Sequence, residues 1–266
     1  MAKNSNSSGA AKGSVAALRA GKKSSGRRSR SSAVENAKAI IGTLALFLFI
    51  RTFALEAFRI PSGSMIPTLL VGDWLFVNKL VYGAHVPGTD LNLPGYANPK
   101  RGDVVVFVSP RQEDQPLDPM PTLVKRCVAV AGDTILMKNG VLFVNGAEQR
   151  QGFAASQNVK GDGSFTHTLF IWQKTFEIHK SRFGEPEDAP TLDNWGPMLV
   201  PAEHYFMLGD NRYDSKDGRY WGFVPRKNLR GRPVFVYYSY RAGDESDRAL
   251  PFITDIRWGR IGTLIK

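Results

Sequence analysis

Three short stretches of the chain concentrate side chains that could do chemistry. They are "RIPSGSMIPTL" (59–69), "PTLVKRCVAVAGD" (121–133) and "FMLGDNRYDSKDGRYWGFVP" (206–225). In the first, Ser62 and Ser64 sit in a turn rich in Gly and Pro. Gly63 lets the backbone approach a substrate closely, and a serine held by a turn can present its Oγ and its own N–H together. Those are the parts of an acyl-transfer site, a nucleophile beside an oxyanion donor. The four histidines, His85, His167, His179 and His204, are scattered and fall in no nucleophile or metal spacing. A base for either serine must therefore come from elsewhere.

The second stretch offers one. Written as a strand, it places Leu123, Lys125, Cys127, Ala129 and Ala131 on one face and Thr122, Val124, Arg126, Val128 and Val130 on the other. Both faces are apolar, as in a strand covered on both sides. Neighbouring cations of opposite parity cannot share one wet surface, so at least one is desolvated. Arginine keeps its proton and needs an acid partner, whereas a buried lysine can fall several pKa units and serve as a neutral general base. The competing reading puts both cations at a strand end in salt bridges, and this stretch alone favours that reading.

The third stretch interleaves Asp210, Arg212, Asp214, Ser215, Lys216, Asp217 and Arg219 between two apolar runs. A solvated loop explains the composition. A packed ion-pair network bracing a site explains it as well.

The elements that must position these residues begin with a membrane-like segment. Residues 39–50, "AIIGTLALFLFI", carry no charge, but a bilayer core needs about 20 helical residues. A span from about Asn36 to about Ala54, with Lys38 and Arg51 snorkelling at its ends, meets that length. The 38 residues before it contain nine basic residues and one acid, Glu35. The positive-inside rule then leaves the tail in the cytoplasm and the rest of the chain outside. A cleavable signal peptide is one alternative, but the basic lead is long for one and no small-x-small site follows at once. A buried core helix is the other, but nine positive charges just upstream suit a membrane flank better. The domains expected are a basic disordered tail at 1–35, an anchor at 36–57 and an outer domain at 58–266.

The outer domain reads as mostly β. Gly72-Asp73, Gly102-Asp103 and Gly132-Asp133 each precede a short apolar run, which we read as turn chemistry entering successive strands rather than as a repeat. Asn139-Gly140 is a strong hairpin signal, and "VFVYYSY" (234–240) reads as a further strand. Residues 146–200 are polar and interrupted, with "TLFIWQKTFEIHK" the only strand material, and are expected to form an insertion or small subdomain.

Composition narrows the function. From Ile60 onward there are 24 basic and 22 acidic residues, so the net charge of +11 belongs mainly to the tail and no nucleic-acid partner is indicated. Acidic lipid headgroups are the expected partner of the tail. One cysteine, Cys127, excludes an intrachain disulfide and a multi-cysteine metal site. No cofactor or metal is expected.

Taken in order, "PSGSMIPTL", "GDWLFVNKLVYG", "RGDVVVF", "LVKRCVAVAGD" and "GDNRYDSKDGRYWGFVP", immediately after an anchor, resemble the bacterial type I signal peptidases, membrane-anchored Ser-Lys proteases. The resemblance implies that Ser64 is the nucleophile and Lys125 the general base. It implies that Ser62 and the Ser64 N–H form the oxyanion hole and that Ser215 orients the lysine amine. Asp210, Arg212, Arg126, Asp217 and Arg219 become structural supports. The implied substrates are preproteins bearing signal peptides, cut at the outer face of the cytoplasmic (inner) membrane. Gly218 departs from the family pattern, standing where a serine is frequent. From Ala54 to Ser64 the chain spans at most about 36 Å, so the serine lies near the membrane surface, where the scissile bond of a signal peptide emerges. Two alternatives remain: a related Ser-Lys protease dedicated to one exported substrate, and a non-catalytic anchored β scaffold.

Overall fold

The structure, a computed structural model, describes residues 25–89, 91–149, 168–178, 190–242 and 250–266. Residues 1–24 of the tail expected at 1–35, and His167 and His179, lie outside the described residues. The chain divides into two compact units at Phe49–Ile50.

Helix α1 runs Ser25–Phe53. It begins within the stretch expected to be a tail, well before Asn36. Ser32–Phe53 is 22 residues, long and apolar enough to cross a membrane, and its most apolar window is unburied by the protein.

From Leu55 the chain is mostly β, as expected. The strands are β1 (Leu55–Arg59), β2 (Asp73–Asn78), β3 (Val104–Val108), β4 (Thr122–Val130), β5 (Thr134–Lys138), β6 (Val141–Val144), β7 (Ala147–Glu148), β8 (Trp195–Leu199), β9 (His204–Leu208), β10 (Val224–Pro225) and β11 (Leu229–Ser239). Two one-turn helices, α2 (Gly218–Trp221) and α3 (Pro251–Thr254), complete the set. Seven strands form one sheet in the order β1-β2-β11-β3-β4-β9-β10, and four form a second, β7-β6-β5-β8. The long β11 joins the halves of the larger sheet by pairing with β2 through Arg232–Ser239 and with β3 through Leu229 and Gly231.

The three Gly-Asp pairs make the same turn. Gly72, Gly102 and Gly132 have φ of 89°, 93° and 85°, the left-handed conformation a type II turn demands at its third position. Each following aspartate accepts at 2.9 Å from the backbone N–H three residues earlier, of Leu70, Lys100 and Val130. An identical local solution recurs where a strand must start, without any repeat of the structure around it. The Asn139-Gly140 hairpin also forms: both residues have positive φ and Lys138 faces Val141 across β5 and β6, the geometry of a type I′ turn.

Residues 146–200 differ from expectation in two ways. "TLFIWQKT" is a 3-10 helix, Thr168–Thr175, not a strand. Its period brings Phe170 and Gln173 to the same buried side, because positions three apart eclipse in a 3-10 turn. In addition, β8 pairs with β5, which starts at Thr134, ahead of the supposed boundary. Ile135, Met137, Leu142, Val144, Trp195 and Met198 share one core with Val128, Ala129 and Phe206 of the larger sheet. The described part of the insertion is thus packed into the main fold.

A separate apolar cluster lies under the first chemical stretch: Ile60, Met65, Leu69, Leu75, Val104, Val236 and Ile265, with Val124 against it. Met65 is 2% exposed and Leu69 fully buried. Burying one such side chain is worth about 1.5–3 kcal/mol, so two of them pin the turn that carries Ser64.

Candidate active site

Ser64 lies in a one-turn 3-10 helix, Gly63–Met65, with Ser62 in extended conformation at its N-cap. The buried Met65 holds this turn from below, which leaves Ser64 half-buried and Ser62 exposed. Lys125 comes from the middle of β4, where the strand passes between buried layers, and is only 3% exposed. Its Nζ lies 2.5 Å from Ser64 Oγ. The two stretches read from the sequence meet, although 61 residues separate them.

Burial pushes the Lys125 ammonium down to about 8. The carboxylate of Asp217 resists that fall, while the positive charge of Arg219 adds to it. A lysine near 8 is neutral in about a tenth of molecules at pH 7, and its lone pair can accept the Ser64 proton at that distance.

Arg126, the other cation of the pair, is 6% exposed. Its Nε and Nη2 donate to Asp210 Oδ1 and Oδ2 at 2.7 and 2.6 Å. Nη1 donates to the carbonyls of Gly102 and Lys266, and Nη2 also to Thr68 Oγ1. Every one of the five guanidinium donors thus has an acceptor. The strand-end reading of the Lys-Arg pair fails: both cations are buried in mid-strand, one fully paired and one facing a serine.

The third stretch is a packed network, not a solvated loop. Arg219 Nε and Nη2 bind Asp217 at 2.9 and 3.0 Å, with side chains 1% and 0% exposed. Arg219 Nη2 also donates to the carbonyls of Arg212 and Ser215. Asp217 accepts from the Gly209 N–H at 3.0 Å. Burial would raise its carboxyl, but the charge and hydrogen bonds of Arg219 and the Gly209 N–H outweigh this and hold it below the usual range. Arg212 donates from Nε to Gly209 O at 3.1 Å. Burial, with the neighbouring Arg219, pushes its guanidinium down to about 10, so it stays charged at neutral pH. The Ser215 hydroxyl is buried and has no hydrogen-bond partner among the described residues.

Three residues of this network were not singled out from the sequence. Asn211 donates its backbone N–H to Ser64 O at 3.1 Å and its Nδ2 to Gly63 O at 3.2 Å. Thr68 donates to Asp210 Oδ2 at 2.5 Å. At Gly209, a Cβ would meet Ser64 O at 2.6 Å as well as the Ser215 side chain, so only glycine permits that approach. The signal for all three is position alone: each stands inside a quoted stretch, but its partner lies in another.

A cavity of about 70 Å³ opens beside Ser64 and Lys125, lined also by Ile60, Pro61, Ser62, Met65 and Val124 among others. It is small and mostly apolar. His85 and His204 bond locally, to Asn92 and to Ala202 O, and neither lines it. Cys127 is fully buried, and burial pushes its thiol up, so it packs as a core residue.

Residues 33–238 match the family described as signal peptidase, peptidase S26. The chain belongs to this family. Signal peptidase I of Pseudomonas fluorescens is 36% identical over 222 residues, which cover 78% of this chain and 73% of that protein. The signal peptidase I of Pseudomonas aeruginosa is 34% identical over 218 residues, with the same coverage, 78% and 73%. A crystal structure of a signal peptidase I from Enterococcus faecalis aligns with 51% of this chain and 96% of its own, at 25% identity and a TM-score of 0.30. The chain is thus a serine-type peptidase, and all five stretches that carried the resemblance lie inside the matched residues.

Proposed function

We propose that the protein removes signal peptides from exported preproteins, with Ser64 as nucleophile and Lys125 as general base. The observation that carries this reading is the 2.5 Å approach of a desolvated lysine amine to a serine hydroxyl in a turn. Neutral Lys125 takes the proton of Ser64 Oγ as the oxygen attacks the scissile carbonyl. The oxyanion that forms is stabilised by the Ser64 N–H and the Ser62 hydroxyl. The Ser64 N–H belongs to the first residues of a helical turn, which lack intrahelical acceptors. The protonated lysine returns its proton to the leaving amine, and the C–N bond breaks. A water deprotonated by the same lysine then hydrolyses the ester.

The substrate class follows from the cavity and the strand edge. A cavity of about 70 Å³ accepts a small side chain, and signal peptides end in small residues. Strand β9 pairs with β4 only over Arg126–Val130. Among the described residues the edge of Thr122–Lys125 opposite β3 is therefore open to an extended peptide. Ser215, whose hydroxyl is otherwise unpartnered, orients the lysine amine. Asp210, Arg212, Arg126, Asp217 and Arg219 hold that segment against β4. The apolar span anchors the enzyme once in the cytoplasmic membrane, with the basic tail against acidic headgroups inside and the peptidase domain outside.

The test is cleavage of a preprotein by the detergent-solubilised full chain and by Ser64→Ala, with the product's new N-terminus read by mass. Wild type cutting after a small residue at the end of the signal peptide, and no product from a folded Ser64→Ala, support the reading. A wild type that leaves the preprotein intact contradicts it.

A further inference from the structure

Among the described residues, the cleft carries a positive charge that no carboxylate faces and that the reaction does not use. Arg59, the last residue of β1, lines the cavity together with Ser62, Ser64 and Lys125. It is exposed, and none of the residues lining that cavity is acidic. Five other arginines of the domain are paired with carboxylates: Arg101 with Asp133, Arg126 with Asp210, Arg219 with Asp217, Arg232 with Asp103 and Arg260 with Asp73. Among the described residues, Arg59 faces no carboxylate. The acid on its own strand, Glu56, is held by Lys79 at 2.7 Å. The Arg59 side chain lies over an aromatic face, its Cζ standing 5.6 Å from the centroid of the Tyr240 ring.

That contact gives the exposed side chain one ordered neighbour. Tyr240 is buried, 7% exposed, and a cation over a ring is attracted by the negative face of the π system. The Arg59 backbone is in register with Trp74 of β2, so the side chain starts from an ordered strand and lies along an ordered ring. A guanidinium resting on a ring face keeps its N–H edge free for an acceptor.

We propose that Arg59 is a specificity-determining residue that reads an acidic side chain near the end of the signal peptide. The proposal rests on the signal-peptidase reading above. In an extended peptide successive side chains point to opposite sides. When one small residue fills the cavity, the residue next to it points out toward the exposed rim, where Arg59 lies. The residue concerned is the second-last of the signal peptide. A carboxylate there gains an ion pair, and a lysine there meets a like charge.

The test uses three peptide substrates, identical except for Asp, Gln or Lys at that position. They are cut by the full chain as wild type, Arg59→Gln and Arg59→Glu, and the Asp-to-Lys ratio of kcat/KM is taken within each enzyme. Wild type is expected to prefer Asp by about three- to fivefold at low salt, the scale of an exposed ion pair, and less at high salt. The ratio should fall to about one in Arg59→Gln and invert in Arg59→Glu. The same ratio in all three enzymes overturns the proposal. If that constant ratio comes with weaker sedimentation of Arg59→Glu on phosphatidylglycerol vesicles, the arginine serves lipid instead, and the proposal is equally overturned. A wild type that cuts none of the peptides, the neutral Gln one included, sinks the signal-peptidase reading and this proposal with it. That outcome is distinct, because the neutral peptide presents no charge to Arg59.

Discussion

Asn211 holds the peptide of Ser64: its backbone N–H donates to Ser64 O at 3.1 Å, and its Nδ2 reaches the preceding carbonyl, Gly63 O, at 3.2 Å. The stretch that packs against the lysine strand therefore also fixes the turn that carries Ser64, the proposed nucleophile. Substituting Asn211 by Ala keeps the backbone bond and removes the side-chain one, loosening the serine turn by a single contact. A neutral hydrogen bond is worth about 1 kcal/mol, so kcat should fall about fivefold with KM little changed. Steady-state kinetics on one peptide, separating the two constants, checks this.

Ser215→Ala should separate activity from stability. The hydroxyl has no partner among the described residues, so removing it leaves no new unsatisfied group there and the melting temperature should stay within about 2 °C. If the hydroxyl orients the Lys125 amine during acylation, kcat should drop by about tenfold or more. Parallel thermal unfolding and kinetics provide the comparison.

The pH profile follows from the burial of Lys125. The base form is the neutral amine, and its folded pKa is about 8. Below that value kcat/KM should fall about tenfold per pH unit, and above about pH 9 it should level off. A profile flat from pH 6 to 9 would point to a base that is already free, which is not this lysine.

The same lowered pKa is a stability statement, with a definite sign. Between about 8 and the ordinary lysine value of 10.5, the unfolded chain binds a proton that the folded chain does not, so stability rises with pH across that window. Below 8 the folded protein carries the full cost of a buried charge, about 3 kcal/mol for a shift of that size. Lys125→Met, similar in volume and uncharged, should therefore be more stable than wild type at pH 7, by about 1–3 kcal/mol. The gap should narrow as pH rises from 8 to 10.5. Urea unfolding at pH 7 and pH 10 checks both the sign and the window.

Much of this site could be read from residue types at short range. The strand around Lys125 is covered on both sides, although its alternation breaks at the bulge between Cys127 and Ala129, which leaves Leu123, Cys127 and Val130 in one cluster and Val128 and Ala129 in another. The Gly-Asp turns and the Asn139-Gly140 hairpin each depend on a few neighbouring residues, and each formed as read. The fate of the Lys-Arg pair did not, because nothing within "LVKRC" distinguishes a strand end from mid-strand; that is decided by β3 and β9 on its two sides. The grip of Asn211 on Gly63 and Ser64, and of Thr68 on Asp210, joins residues 142–148 positions apart. Contacts of that span leave no local periodicity. The 3-10 helix at Thr168–Thr175 was missed for a related reason: an apolar run of eight residues suits a strand or a buried helical turn equally, and packing chooses.

The most direct test of the central claim is cleavage of a preprotein by Lys125→Ala, compared with wild type at pH 8 after circular dichroism has shown that the variant is folded. The account predicts a folded enzyme with activity reduced by about a thousandfold or more, because Ser64 loses the only base within reach among the described residues. A folded Lys125→Ala that keeps near-wild-type activity would contradict it, and the 2.5 Å contact between Lys125 and Ser64 would then be packing without catalysis.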